Sequence, residues 1–72
     1  MQYAVVIEHA PETNYSAYVP DLPGCVSTGD TVEEVSRNIQ EAIEFHLQGM
    51  REDGEPIPEP TTRVTYAEVR AA

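Results

Sequence analysis

The sequence predicts an α+β fold with the element order β-β-β-α-β. Three observations predict it. Runs rich in β-branched and aromatic residues occur near residues 2–9, 15–19 and 25–28, and turn residues separate them. A long stretch beginning near residue 31 then repeats apolar residues at steps of three and four, which is typical of an amphipathic helix. A last β-rich run at residues 63–66 predicts a fourth strand after the helix.

The first strand is expected from Gln2 to about His9. Both of its faces are apolar in the middle, because Val5 and Ile7 alternate with Val6. A strand of this kind is typical of a central position, where neighbouring elements cover it on both sides.

Turn chemistry bounds the next two strands. Residues 10–14, with a proline and an asparagine, form a short loop before the second strand at residues 15–19, which predicts an antiparallel hairpin. The two prolines of residues 20–24 remove backbone donors and end that strand. A short third strand is expected at residues 25–28.

The helix start has the clearest local signal. Thr31 and Glu34 match a capping box, in which each side chain satisfies an unpaired backbone N–H group. Asp30 and Glu33 add negative charge near the positive end of the helix dipole. The apolar stripe that follows consists of Val32, Val35, Ile39, Ala42, Ile43, His46, Leu47 and Met50.

Two glycines bear on where the helix ends. Gly54 is expected to end it after Asp53, and a break near Gly49 is the alternative. Residues 55–60 contain three prolines at alternate positions and predict a stiff, extended linker. One domain is expected over residues 1–66, followed by a short C-terminal tail at residues 67–72.

Size and charge restrict the function. The chain has 72 residues, 13 acidic residues, four arginines and no lysine, for a net charge of −9. Such a charge repels a phosphate backbone, so direct nucleic-acid binding is not expected, whereas a basic protein partner is favoured. A chain of this size buries only about 60% of its unfolded surface, which favours a homo-oligomer, either a dimer or a tetramer. The expected contacts are the uncovered sheet face, with Ala4 and Val6, or the strand edge at Val64.

The sequence predicts a cytoplasmic protein. No apolar run approaches the roughly 18 residues that a membrane span requires. The first residues lack the basic region of a signal peptide, and a single cysteine, Cys25, is typical of a reducing compartment.

Several motifs occur together in a recognisable order. They are Tyr3-x-Val5-x-Ile7-Glu8, the run Tyr15-Ser16-Ala17-Tyr18-Val19-Pro20-Asp21-Leu22-Pro23-Gly24-Cys25, Thr28-Gly29-Asp30-Thr31-x-Glu33-Glu34, and a helix that ends in an acidic, proline-rich stretch. In this order and spacing the chain resembles, from Met1 to about Tyr66, the HicB-like family. Members of that family are the antitoxins of bacterial HicA–HicB toxin–antitoxin systems.

The resemblance implies a truncated RNase H-like fold and a non-catalytic role. It implies a partner that is a small basic HicA-type toxin, which cleaves mRNA and whose active surface the antitoxin covers. Many members carry a C-terminal DNA-binding segment, which residues 67–72 are too few to form. The expected toxin-binding residues lie on the loop at residues 20–24 and on the acidic surface of the helix. They are Asp21, Leu22, Asp30, Glu33, Glu34, Glu41 and Glu44.

Two alternatives remain open at this point. One is a solitary HicB-like protein that self-associates without a toxin. The other, less favoured, is a metal-dependent nuclease that would use Glu8, Asp21 and Asp30 as metal ligands. Turn formation explains Asp21, and the helix start explains Asp30, without catalysis.

Other reactive side chains have simpler interpretations. His9 and His46 lie on different predicted elements, so a structural role is favoured for each over metal ligation. Cys25 lacks the surrounding pattern of a cysteine nucleophile and is expected to be a small buried residue. The sequence therefore predicts no cofactor, no metal site and no catalytic residue.

Overall fold

One antiparallel sheet and one helix make up the fold. A computed structural model describes residues 1–71 of the chain. The elements are β1 (Val6–His9), β2 (Tyr15–Tyr18), β3 (Val26–Gly29) and α1 (Val32–Glu52). The strands lie in the order β1-β2-β3, and α1 packs across one face of the sheet, over β3 and β2. The predicted succession of three antiparallel strands and one helix is confirmed, although β1 and β2 are shorter than expected and β3 is shifted by one residue.

The β1–β2 hairpin has the predicted form. Val6 lies opposite Tyr18, and His9 lies opposite Tyr15 at the turn end. Within the turn, the backbone N–H and the hydroxyl of Thr13 both donate to the carbonyl oxygen of Ala10, at 3.2 and 3.0 Å. These bonds satisfy the loop backbone locally and fix the register of the two strands.

The position of β1 corrects the sequence analysis. β2 is the central strand, and β1 lies at an edge. Because the helix packs over β2 and β3, Ile7 remains 38% exposed although it lies on the same face as the buried Ala17. Within residues 1–71, no further strand flanks β1, so its two apolar faces are incompletely covered.

The start of α1 confirms the predicted cap. Thr31 is the N-cap, and its hydroxyl accepts a hydrogen bond of 3.0 Å from the Glu34 backbone N–H. The Glu34 carboxylate reaches back to the backbone N–H of Asp30 at 3.3 Å, one residue earlier than the usual capping-box partner. Two backbone donors at the helix start are thus satisfied by side chains.

α1 ends at Glu52, with Asp53 as its C-cap and Gly54 following as predicted, and the helix continues unbroken through Gly49. Gly54 adopts a φ of 72°, and its N–H donates to the Arg51 carbonyl at 3.1 Å. The next N–H, of Glu55, donates to the Met50 carbonyl at 2.8 Å. This pair of bonds is a Schellman motif, which uses glycine because it adopts positive φ without strain.

The core lies between the sheet and α1. Val35 is fully buried and faces Gly29, the last residue of β3, at very close range. A Cβ atom at Gly29 would lie 2.6 Å from the Val35 backbone nitrogen, so glycine is needed for this approach of helix to strand. The buried core residues are Ala17, Val19, Leu22, Cys25, Val35, Ile39 and Leu47.

The C-terminal segment also corrects the sequence analysis. Residues 55–71 contain no helix or strand, so the fourth strand expected at Arg63–Tyr66 does not form within this chain. A strand needs a hydrogen-bonded neighbour, and within residues 1–71 this segment pairs with none of the three strands. Near its start, the Tyr3 hydroxyl donates to the Pro58 carbonyl. The last residue of the predicted tail, Ala72, lies outside the described residues.

Candidate functional site

Asp21 anchors the C-terminal segment to the β2–β3 loop. Its carboxylate accepts bonds of 3.0 Å from the backbone N–H groups of both Thr61 and Thr62. The hydroxyls of Thr62 and Thr61 donate to the other oxygen, at 2.7 and 3.2 Å. These bonds, with Thr62 contributing most, favour the ionised form and lower the pKa of Asp21 below its ordinary value. The structure gives Asp21 a role in anchoring, and toxin contact by Asp21 stays a prediction.

Leu22 is not presented on the surface of the loop as expected, and toxin contact by Leu22 stays a prediction. Its side chain is only 1% exposed and belongs to the core. The Leu22 N–H donates to the Val19 carbonyl at 3.0 Å, and the Leu22 carbonyl accepts from the Cys25 N–H at 3.0 Å. These bonds close two tight turns that direct the leucine inward, between two exposed prolines.

The other five predicted residues form two groups on and beside α1. Asp30 and Glu34 serve the helix start, where the bonds described above engage them. Glu33, Glu41 and Glu44 are exposed, and Glu44 accepts a 3.3 Å bond from the Gln40 side chain. The helix therefore carries an exposed acidic face, which is separate from the Asp21 anchor.

A groove runs between α1 and the outer side of β3, and we call it the β3 groove. Its volume is about 440 Å³. Two large apolar side chains at this groove face solvent, Val26 at 64% and Phe45 at 80% exposure. The residues lining it are Gly24, Cys25, Val26, Ala42, Phe45, His46, Gly49, Met50, Asp53 and Glu55.

Phe45 is not among the residues that the sequence predicts to be functional. The residue lies outside the apolar stripe of the helix, at the margin of its polar face, and it is the only phenylalanine of the chain. Its position three residues after Ala42 and four before Gly49 places it beside the groove. A single exposed aromatic residue among charged neighbours is the signal that could have identified it.

The chemistry of the β3 groove is apolar inside and acidic at its rim. Burial raises the pKa of the Cys25 thiol, so the thiol stays neutral and contributes an apolar lining. Asp53 and Glu55 supply carboxylates at the end near the helix C-terminus, and Glu41 lies one turn before Phe45. Such a surface suits a partner segment that combines apolar and basic side chains.

The sheet face opposite α1 carries a second apolar surface. Val6, Tyr18 and Val26 lie opposite one another across the three strands and form a continuous row on this face. Tyr18 and Val26 are exposed, and Val6 is half-buried. The expectation that Val6 lies on an uncovered face is thus confirmed, whereas Ala4 precedes β1. Val26 joins this row to the β3 groove.

The two histidines lie in different surroundings. The His9 ring stacks on Tyr15 with centroids 4.1 Å apart, and His46 lines the β3 groove. Over residues 1–71, no three His, Cys, Asp or Glu side chains are grouped so that they could hold a metal ion. Within the same residues, α1 lacks the length of apolar sequence that would let it cross a membrane.

Comparison with known proteins places these features in a family. The family model of the HicB-like antitoxin of bacterial toxin–antitoxin systems matches residues 3–70. An uncharacterised 14.9 kDa protein of Haemophilus phage HP1 is 48% identical over 58 residues, which cover 81% of this chain and 43% of the phage protein. Antitoxin HicB 2 of Photorhabdus laumondii is 36% identical over 73 residues, which cover all of this chain and 52% of that antitoxin.

The fold itself has a solved relative. A chain from the structure of a HicA3 and HicB3 toxin–antitoxin complex superposes with a TM-score of 0.70 at 31% sequence identity. The superposition covers 85% of this chain and 70% of that chain. This chain spans about half the length, or less, of the two relatives named above. Because the family model covers nearly all of its residues, the chain belongs to the HicB-like antitoxin family.

Proposed function

We propose that this protein is an antitoxin that binds and neutralises a small basic, mRNA-cleaving HicA-type toxin and catalyses no reaction itself. The observation that carries the proposal is the likeness, over 85% of the chain, to a chain of a toxin–antitoxin complex. The net charge of −9 supports it, because an acidic surface attracts a basic partner and repels nucleic acid.

The β3 groove is the surface that we assign to the toxin. Phe45 and Val26 expose apolar area beside a concave surface, which is the usual setting of an energetically dominant contact. The rim carboxylates of Asp53 and Glu55 would face basic side chains of the toxin. On this arrangement, contact with the aromatic ring holds the complex together, and the acidic rim orients the encounter.

Co-expression with HicA-type toxins encoded in the source genome tests the proposal. Growth rescue together with co-purification of a toxin is the expected result, and binding should weaken as salt rises. Growth that stays arrested, with no toxin recovered for any pair, would refute antitoxin function.

A matched pair of variants tests the assigned surface. Phe45→Ala should weaken toxin binding by about tenfold or more, because removal of a central aromatic contact commonly costs above 1 kcal/mol. Gln48→Ala is the control, since that side chain is also exposed on α1 but does not line the groove. Both variants should unfold at the wild-type temperature. Equal affinity of Phe45→Ala and wild type would remove the groove from the toxin contact.

We infer further that the protein forms a homo-oligomer, a dimer or a tetramer, in the cytoplasm. The exposed row of Val6, Tyr18 and Val26 supports self-association, as does the small size of the core. An RNase H-like arrangement with a fourth strand would then require a neighbouring copy. Sedimentation of the purified protein at micromolar concentration tests this, and a mass of 8.0 kDa would refute it.

A further inference from the structure

We infer that residues 63–70 of one copy pair as a fourth strand with the free edge of β1 in a second copy, and that two copies exchange these segments reciprocally. The inference rests on the self-association proposed above and is independent of toxin binding. Four features of the chain support it: the exposed segment itself, its anchor, the open edge of β1, and the distribution of charge.

The segment has strand composition but no neighbour. Val64, Thr65 and Tyr66 are β-branched or aromatic, and Tyr66 is 92% exposed. Val64 and Val69 are exposed as well. The Cα radius of gyration is 14.3 Å, against about 11 Å for a compact chain of this length, and the molecule extends 52 Å along its longest axis. The segment therefore projects apolar residues into solvent, which a second copy would cover.

The root of the segment is fixed. Thr61 and Thr62 are bonded to Asp21 through both backbone and side-chain groups, and Pro58 accepts a bond from Tyr3. Alternate prolines stiffen residues 56–60. This anchor fixes the start of the segment beside the β2–β3 loop, while the part beyond Thr62 is exposed and therefore available to a neighbour.

The free edge of β1 offers a backbone ladder. The Val19 N–H donates to Cys25 on the β3 side. Backbone groups alternate in direction along an antiparallel strand, so Ser16 and Tyr18 of β2 face β1. Their partners Val6 and Glu8 then face β2, and the backbone groups of Ile7 and His9 face outward. An added strand would satisfy them, as in other strand-addition complexes.

The side chains favour pairing of the added strand at the β1 edge over pairing at the β3 edge. On β3, the Asn38 side chain donates to the Thr28 carbonyl at 2.9 Å and occupies part of that edge. On β1, apolar residues lie on both faces, with Ile7 38% exposed on one and Val6 half-buried on the other. The segment likewise has apolar residues on both faces, with Val64 and Tyr66 on one and Ala67 and Val69 on the other. Pairing would therefore bury apolar area on both sides of the sheet.

Charge favours exchange between copies. Residues 61–72 contain two of the four arginines and one of the 13 acidic residues, for a net charge of +1. Residues 1–60 consequently carry −10. Placing a positive segment of one chain on the negative body of another offsets part of the repulsion that two such chains would otherwise experience.

Two proline substitutions in the full chain test the exchange. At a protein concentration of about 50 µM, light scattering of the wild-type protein should give at least twice the mass of one 8.0 kDa chain. Thr65→Pro combined with Tyr66→Pro should reduce that mass by at least half, because proline cannot donate to a ladder. Ala71→Pro, the control outside residues 63–70, should keep the wild-type mass. Since these side chains make no contact with the core, the circular dichroism of the helix should be unchanged.

Amide exchange shows which edge is used. In the wild type, the N–H groups of Ile7 and His9 should exchange at least about tenfold more slowly than in the proline variant. The Val26 N–H on the β3 edge should exchange equally in both. A monomeric wild type, an assembly that tolerates both prolines, or protection gained at Val26 in place of Ile7 would each overturn the inference. Toxin binding is measured separately by pull-down, so a loss of strand exchange between copies can be distinguished from a loss of antitoxin function.

Discussion

The contact between Gly29 and Val35 provides a quantitative test of the fold. A methyl group added by Gly29→Ala would lie 2.6 Å from the Val35 backbone nitrogen, 2.9 Å from its Cα and 3.1 Å from the Glu34 carbonyl carbon. All three are backbone atoms, so no side chain can rotate away. The helix would have to move outward by several tenths of an ångström, and Val35, which is fully buried, would lose its packing. Overpacking of this kind costs about 1–3 kcal/mol.

Gly49→Ala is the matched control for this substitution. Gly49 lies within α1, and a Cβ atom there would meet nothing within 4 Å. Alanine should therefore stabilise the helix by about 0.5–1 kcal/mol through its higher helix propensity. The same chemical change is thus expected to have opposite signs at two positions 20 residues apart.

Urea unfolding followed by circular dichroism measures both effects. The midpoint should fall for Gly29→Ala and rise for Gly49→Ala, with the slope unchanged. A loss of 1 kcal/mol corresponds to roughly 4–8 °C in melting temperature for a domain of this size. Because association also stabilises a chain, all samples are compared at one protein concentration. A Gly29→Ala protein within about 0.5 kcal/mol of wild type would refute the close contact.

Three further predictions concern the loop and the helix cap. Thr31→Ala should cost about 1 kcal/mol in urea unfolding, because the N-cap oxygen is lost. Leu22→Ala should cost about 2–5 kcal/mol by the same measurement, since that side chain is fully buried. Asp21→Asn should speed amide exchange at Thr61 and Thr62. The pKa of Asp21 is lower in the folded state than in the unfolded state. The wild-type protein should therefore exceed Asp21→Asn in free energy of unfolding by a difference that is complete above about pH 5 and shrinks as the pH falls below about 4.

The features that the sequence predicts correctly are those set by interactions between residues close together in the chain. The cap at Thr31, the end at Gly54 and the hairpin turn each depend on residues within a few positions of one another. The failures concern relations between distant segments. The inward direction of Leu22 depends on turns that close against Val19, and the exposure of Phe45 depends on how far the helix reaches past β3. Composition and periodicity carry little information about either.

The sequence therefore predicts the acidic surface of α1 but not the groove beside it. An acidic surface on α1 follows from residue spacing alone, and Glu33, Glu41 and Glu44 are indeed exposed. The β3 groove does not follow from spacing, because it combines a helix margin with a strand edge 20 residues earlier. Asp21 is expected at the site because it lies on the loop at residues 20–24, yet its carboxylate is engaged by Thr61 and Thr62, 40 and 41 residues later.

The two errors in the sheet have one physical explanation. β1 has the composition of a central strand but lies at an edge, and residues 63–66 have the composition of a strand but lie in solvent. Each assignment follows from an apolar pattern that is typical of strands covered on both faces. If segments are exchanged between copies, β1 becomes central and residues 63–66 become a strand, so both sequence-based assignments describe the assembled protein. The pattern of residues would then report a sheet that no single chain completes, and slow amide exchange at Ile7 is the measurement on which that interpretation depends.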